Sequence, residues 1–163
     1  SYILGFRPRV ELFEAQGNNL KDRVNSKDLD KPEYEFMQGI FRLAGIWEHK
    51  DSIFKADLRT KKILKEASDR LTKVLNEDWN QGKDLVWILQ HATGGDIEIM
   101  IQDPSVDTTY THPSSRSSGF KTYFVTSMIV RARTANHPGH SFIYLFDEPG
   151  IYLHPQAQLD LVG

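Results

Sequence analysis

At 163 residues, 39% of them hydrophobic and 26% charged, the chain is long enough for one domain with a sizeable core and has an ordinary globular make-up. Its net charge of −2 carries no whole-chain signature of nucleic-acid binding, and its lack of cysteine excludes a disulfide framework and a cysteine-based zinc site. No apolar run approaches the roughly 18 residues of a membrane span, and residues 1–10 lack the pattern of a secretory leader, so a cytoplasmic setting without a membrane partner is expected. The first and last residues read as cut from a longer chain: Ser1 leads straight into an apolar stretch, and Ala157 to Val162 read as a helix barely begun. The expectation is one partial domain over 1–163, with strand and loop over 1–32, a helical segment over 33–79, a β-hairpin over 84–103 and two chemical motifs over 114–163.

From Pro8 to Gly17, Val10, Leu12 and Ala15 alternate with charged residues in a loose strand pattern, and an exposed charged connection follows from Asn25 to Pro32. Pro32 opens a helix in which Tyr34, Met37, Ile40, Phe41 and Ala44 recur at helical spacing until Gly45 stops it. The longest helix is expected from about Ile53 to Trp79, capped by Asp51 or Ser52, with Phe54, Leu58, Ile63, Leu64, Ala67, Leu71, Val74 and Leu75 as its apolar stripe. Lys55, Arg59, Lys61, Lys62, Lys65, Arg70 and Lys73 form a cationic face, which fits either a solvated surface or contact with nucleic acid. No aromatic residues are interleaved with these cations, which argues against stacking on single strands. Leu85 to His91 and Asp96 to Asp103 then make a hairpin through Thr93-Gly94-Gly95-Asp96, with Ile97, Ile99 and Ile101 on one face and Glu98, Met100 and Gln102 on a wetter one.

The first chemical motif is Arg116-Ser117-Ser118-Gly119-Phe120, which opens a run of helical length ending near Ala135. Ser117 or Ser118 can cap that helix, while its free N–H groups, its positive end and the small Gly119 also suit a phosphate. Phe142 to Phe146 fit a strand buried on both faces of a parallel sheet, and Asp147 and Glu148 end it where open α/β sheets bind ligands. Read as a Walker B element, Asp147 holds Mg²⁺ and Glu148 orients and deprotonates the water that attacks a γ-phosphate. The same residues also fit a buried strand that happens to end in two acids. His137, His140 and His154 do not have the spacing of a zinc motif.

The stretch Asp147-Glu148-Pro149-Gly150-Ile151-Tyr152-Leu153-His154-Pro155 resembles the Walker B and D-loop of ATP-binding-cassette-type ATPase heads, most closely the overcoming-lysogenization-defect-like and SMC-like AAA-family ATPases. In those relatives the signature loop often reads R-S-S-G-F, as Arg116 to Phe120 do here. The resemblance implies an α/β fold, part of a P-loop NTPase head with a helical segment and an antiparallel β-layer. It implies ATP and Mg²⁺ as cofactors and a second head, in a homodimer, as partner. It gives Ser117, Ser118 and Gly119 to the nucleotide on the opposite head, and Leu153, His154 and Pro155 to a D-loop. Coupling to nucleic acid or to a nuclease-type effector in DNA repair or phage defence is the implied role. Phe120 and Lys121 stand where the best-known signature form has glycine and glutamine, which argues against a transporter cassette. No G-x-x-x-x-G-K-[ST] phosphate loop occurs in these residues, so a non-catalytic ATPase-like interaction module is the alternative reading.

Overall fold

Helices α1 (Glu35–Leu43), α2 (Leu58–Asp78) and α3 (Ser118–Asn136) and two small sheets organise the residues that the computed structural model describes, 8–13, 20–78, 84–105 and 109–146. One sheet is a parallel pair, β1 (Arg9–Phe13) beside β5 (Phe142–Phe146), in register from Arg9 opposite Phe142 to Phe13 opposite Phe146. The other is antiparallel, with β2 (Arg23–Val24), β4 (Ile97–Gln102) and β3 (Val86–His91) side by side in that order. The expected hairpin is therefore present, and Gly94 and Gly95 close it at φ +92° and +85°, the left-handed region that glycine enters without strain.

Alternation along the hairpin sends Trp87, Leu89, Ile97, Ile99 and Ile101 into the core. The opposite face is less wet than its sequence suggests, because Glu98 is buried too. Arg23 and Gln90 make this tolerable by donating to its two carboxylate oxygens at 2.7 and 2.8 Å. Burial acts to raise the Glu98 pKa, but the hydrogen bonds from Gln90 and Arg23 outweigh it and hold the carboxyl below its usual range.

Pro32, expected to open the helix, opens a 3-10 turn over Pro32–Tyr34 instead; α1 follows it and is buried from Phe36 through Phe41. Gly45 ends it at φ +72°. The Ile46 N–H reaches the Phe41 carbonyl at 2.9 Å and the Gly45 N–H reaches the Arg42 carbonyl at 3.0 Å, a Schellman stop with Ile46 and Phe41 both buried. Helix α3 packs across α1 with very little room: a Cβ built on Gly39 would lie 2.2 Å from the Met128 carbonyl oxygen. Burial on α3 runs through Phe120, Tyr123, Phe124, Val125, Met128, Ile129 and Ala132, so this helix sits between α1 and the antiparallel sheet rather than on the surface.

Helix α2 starts at Leu58, five residues later than the expected start at Ile53, and its cap is Asp57 rather than Asp51 or Ser52. Asp57 Oδ1 accepts the Thr60 N–H at 2.8 Å, and Thr60 Oγ1 accepts the Asp57 N–H at 3.2 Å, so each residue satisfies the other's orphan donor. That Thr60 N–H holds the Asp57 carboxyl below its usual range. Residues 51–55 form turns instead, in which Ile53 is buried and the Phe54 ring lies 6.1 Å from that of Phe41. Leu58, placed by the pattern in the buried stripe, is 86% exposed, while Thr60 in the same first turn is buried, so the side of the helix on which Leu58 lies there faces solvent. Leu64, Ala67, Leu71 and Leu75 are the part of the stripe that is buried.

A second line on α2 was not anticipated. Ser68, Thr72 and Asn76, one turn apart, accept the backbone N–H groups of Leu89, Trp87 and Leu85 at 2.9, 2.9 and 3.2 Å. Asn76 and Thr72 also donate to the Leu85 and Trp87 carbonyls at 2.9 and 3.2 Å. The outer edge of β3, which would otherwise present an unpaired ladder, is closed by side chains of a helix. Thr72→Val keeps the shape but leaves the Trp87 backbone groups unpaired, so urea unfolding is expected to show a loss of about 1–3 kcal/mol; an unchanged midpoint would mean that water replaces the hydroxyl.

The parallel pair is fastened to the last turn of α3 by polar contacts. Arg133 donates to Glu35 of α1 at 2.8 to 3.1 Å and to Glu11 of β1 at 3.3 Å, and the Tyr144 hydroxyl of β5 lies 3.1 Å from Thr134 Oγ1. The hydrogen bonds to Glu35, the largest influence, hold the Arg133 pKa above its usual range. Among the described residues only one face of the pair is packed. Val10, Leu12, Ile143 and Leu145 are 58%, 63%, 46% and 49% exposed, which corrects the expectation of a strand buried on both faces. The reason is geometric: among the described residues β5 has β1 as its sheet neighbour and α3 beneath it, and nothing lies above.

Candidate nucleotide-facing site

The segment before α3 is tied down at several points. Thr111 and Ile101 exchange backbone hydrogen bonds at 2.8 Å in each direction, and His112 Nδ1 lies 3.2 Å from the Ile99 carbonyl. The Ser114 N–H reaches Asp22 Oδ1 at 3.0 Å, and Pro113 is buried in the 3-10 turn Pro113–Ser115. Arg116 places its guanidinium 5.2 Å from the Phe120 ring centre and 3.9 Å from the Asp103 carboxylate. This anchoring brings Ser117, Ser118 and Gly119 together at the opening turn of α3.

Ser117 is the cap, since its Oγ accepts the Phe120 N–H at 3.4 Å. Ser118 is the first helical residue, both serines are exposed, and Gly119 is half-buried. The first turn carries no acidic residue, so the positive end of a 19-residue helix faces solvent without a counter-charge of its own. An anion can approach there, and the residues fit a phosphate in steric and electrostatic terms. Phe120 has a structural reason that the sequence reading missed. Its ring lies 4.4 Å from Phe124 and 6.1 Å from Trp87, and it fixes the start of α3 on the sheet. The spacing of Phe120 and Phe124, one turn apart, was the available signal.

Asp147 and Glu148, the expected Mg²⁺ ligand and general base, follow β5 directly in sequence and lie outside the described residues, as do Leu153, His154 and Pro155 of the expected D-loop. What is described is the strand that leads to them, parallel to β1 and joined to α3 by residues 137–141. In that link, Arg9 Nη1 lies 2.8 Å from His137 Nε2, and His137 Nδ1 lies 3.1 Å from the Arg133 carbonyl. An arginine only donates, so Nε2 is the acceptor and Nδ1 carries the proton. Both ring nitrogens are therefore committed to holding the link. Among the described residues no group of three or more His, Asp or Glu is placed to hold a metal ion. All seven cations of the α2 region are exposed, and Arg70 also points a nitrogen at the Ala44 carbonyl, 3.4 Å away.

The chain is a mixed helix-and-strand protein in which, among the described residues, no helix is long and apolar enough to cross a membrane. No protein-family model matches it, and comparison with curated proteins and with solved structures gives no match.

Proposed function

We propose that the chain is part of an ATP-binding and ATP-hydrolysing head of the P-loop, ATP-binding-cassette and SMC-like class, which pairs with a second head around nucleotide and Mg²⁺ to control a DNA-related or defence effector. One observation carries this reading. A helix opened by Arg116-Ser117-Ser118-Gly119-Phe120 leads through a short link into a strand of a parallel pair, and that strand runs directly into Asp147-Glu148. The carboxyl ends of parallel strands are where α/β sheets bind ligands. On this reading Asp147 holds Mg²⁺, Glu148 takes the proton of the attacking water, and Leu153 to Pro155 touch the partner head. Ser117, Ser118 and Gly119 meet the γ-phosphate held by that partner.

Substitution at the signature turn tests the assignment in the intact protein. Ser118→Arg puts a bulky cation where a phosphate must come close, so it should spare ATP binding by the single head and abolish ATP-driven pairing and hydrolysis. Ser117→Ala removes the observed cap and should lower stability by about 1 kcal/mol with or without nucleotide. ATP affinity, melting temperature and ATP-dependent mass separate the two effects. A Ser118→Arg protein that still pairs and hydrolyses ATP would reduce the motif to a helix start. Because the 163 residues contain no phosphate loop, this chain alone should release no phosphate from ATP; release abolished by Glu148→Ala would contradict that.

A further inference from the structure

An open groove of about 620 Å³ runs along the seam between α2 and β3. Lys61, Lys65 and Asp69 stand one turn apart on its helical wall, and Val86 and Ile88, both half-buried, belong to its strand side. Ile88 pairs with Met100 of β4, so a small apolar patch reaches one strand further in, bordered on the same face by Gln90, Glu98 and Gln102.

Two features decide what such a groove accepts. First, Asn76, Thr72 and Ser68 already engage the edge backbone of β3 at Leu85, Trp87 and Leu89. An extended peptide therefore finds no free ladder, and recognition by strand addition is blocked. Second, Lys61 and Lys65 are exposed and form no ion pair among the described residues, whereas nearby Lys62 approaches Glu66 at 3.9 Å. Each has an aspartate one turn away along the helix, Asp57 before Lys61 and Asp69 after Lys65, but neither closes to an ion pair, so both ammonium groups stay open to a partner. The wall from Lys61 to Thr72 is about 16 Å long, or three helical turns.

We propose that this groove docks an amphipathic acidic helix of a partner protein. An apolar stripe at i, i+3, i+4 and i+7 would lie on Val86 and Ile88, with carboxylates four residues apart meeting Lys61 and Lys65. Asp69, one turn further along, repels an acid at its own position and so sets the register. The groove shares no residue with the nucleotide-facing site, and its failure or success leaves the ATPase reading untouched.

The probe is a labelled synthetic helix of about twelve residues, with leucines at the stripe positions and two glutamates four apart at one end. Anisotropy with the full chain should show saturable binding, and Lys61→Glu with Lys65→Glu should weaken it about tenfold, since two exposed ion pairs become repulsions. A probe with lysines in place of the glutamates should regain affinity for that variant, whose melting temperature should match that of the unaltered chain. Amide shifts of the chain should cluster at 61–72 and 86–91. Absence of binding at millimolar probe, indifference to charge reversal, equal binding of a proline-broken extended probe, or shifts centred on Val10, Leu12, Ile143 and Leu145 would each overturn the proposal.

Discussion

With Glu148 as the proposed general base, Glu148→Gln in the intact protein is expected to keep ATP binding and lower turnover by about 10²-fold or more, because an amide cannot take the proton of the attacking water. Asp147→Ala should behave differently and weaken the dependence on Mg²⁺ itself. The distinction follows from the proposed roles: of the two acids that follow β5 in sequence, Asp147 is proposed to hold the metal and Glu148 to take the proton. Steady-state phosphate release, measured across a Mg²⁺ series, checks both. Turnover of the Glu148→Gln protein within about twofold of the unaltered one would remove the general-base role.

Gly39→Ala is expected to have the largest effect on folding. The added Cβ would stand 2.2 Å from the Met128 carbonyl oxygen and 2.7 Å from its carbon, both of them backbone atoms of a buried helix that cannot rotate away. Either α1 and α3 separate or the helices distort. The cost should lie at or above the upper end of the ~1–3 kcal/mol typical of overpacked cores, even though alanine is the better helix former by about 1 kcal/mol. Thermal and urea unfolding of the single variant decide the matter. A stabilised Gly39→Ala protein would mean that α1 and α3 do not cross at this point.

How far the fold was legible depended on whether a signal was local. Proline, glycine and apolar spacing marked α1 from Pro32 to Gly45, and the paired glycines marked the β3–β4 turn, because each is decided by a few neighbouring residues. The start of α2 was misplaced because Asp51 and Ser52 look as good a cap as Asp57, and only the reciprocal bonds with Thr60 tell them apart. The two-residue β2 leaves no periodic trace, and it exists only where β4 lies beside it. Ser68, Thr72 and Asn76 read as polar helix filler until the edge of β3 is placed against them. Gly39 is likewise silent until α3 is laid across it.

The candidate site divides in the same way. A cap at Ser117 or Ser118 and the helix after it were readable, since capping is a local event, and the Phe120 N–H decides for Ser117. The role of Phe120 was not, because its partner Trp87 is 33 residues away in the chain. The apolar run of β5 suggested burial on both faces, but sequence shows only that both faces are apolar. Ile143 and Leu145 lie open beside Val10 and Leu12, whereas parallel sheets generally have both faces covered.

The mass of the intact Glu148→Gln protein with ATP and Mg²⁺ is the most direct test of an ATPase head that closes around nucleotide. Slowed hydrolysis should trap the closed pair, so light scattering is expected to report twice the mass seen without nucleotide, and adding Ser118→Arg should return it to the single-head value. A mass that does not respond to ATP, or a doubled mass that persists with Ser118→Arg, would contradict the account.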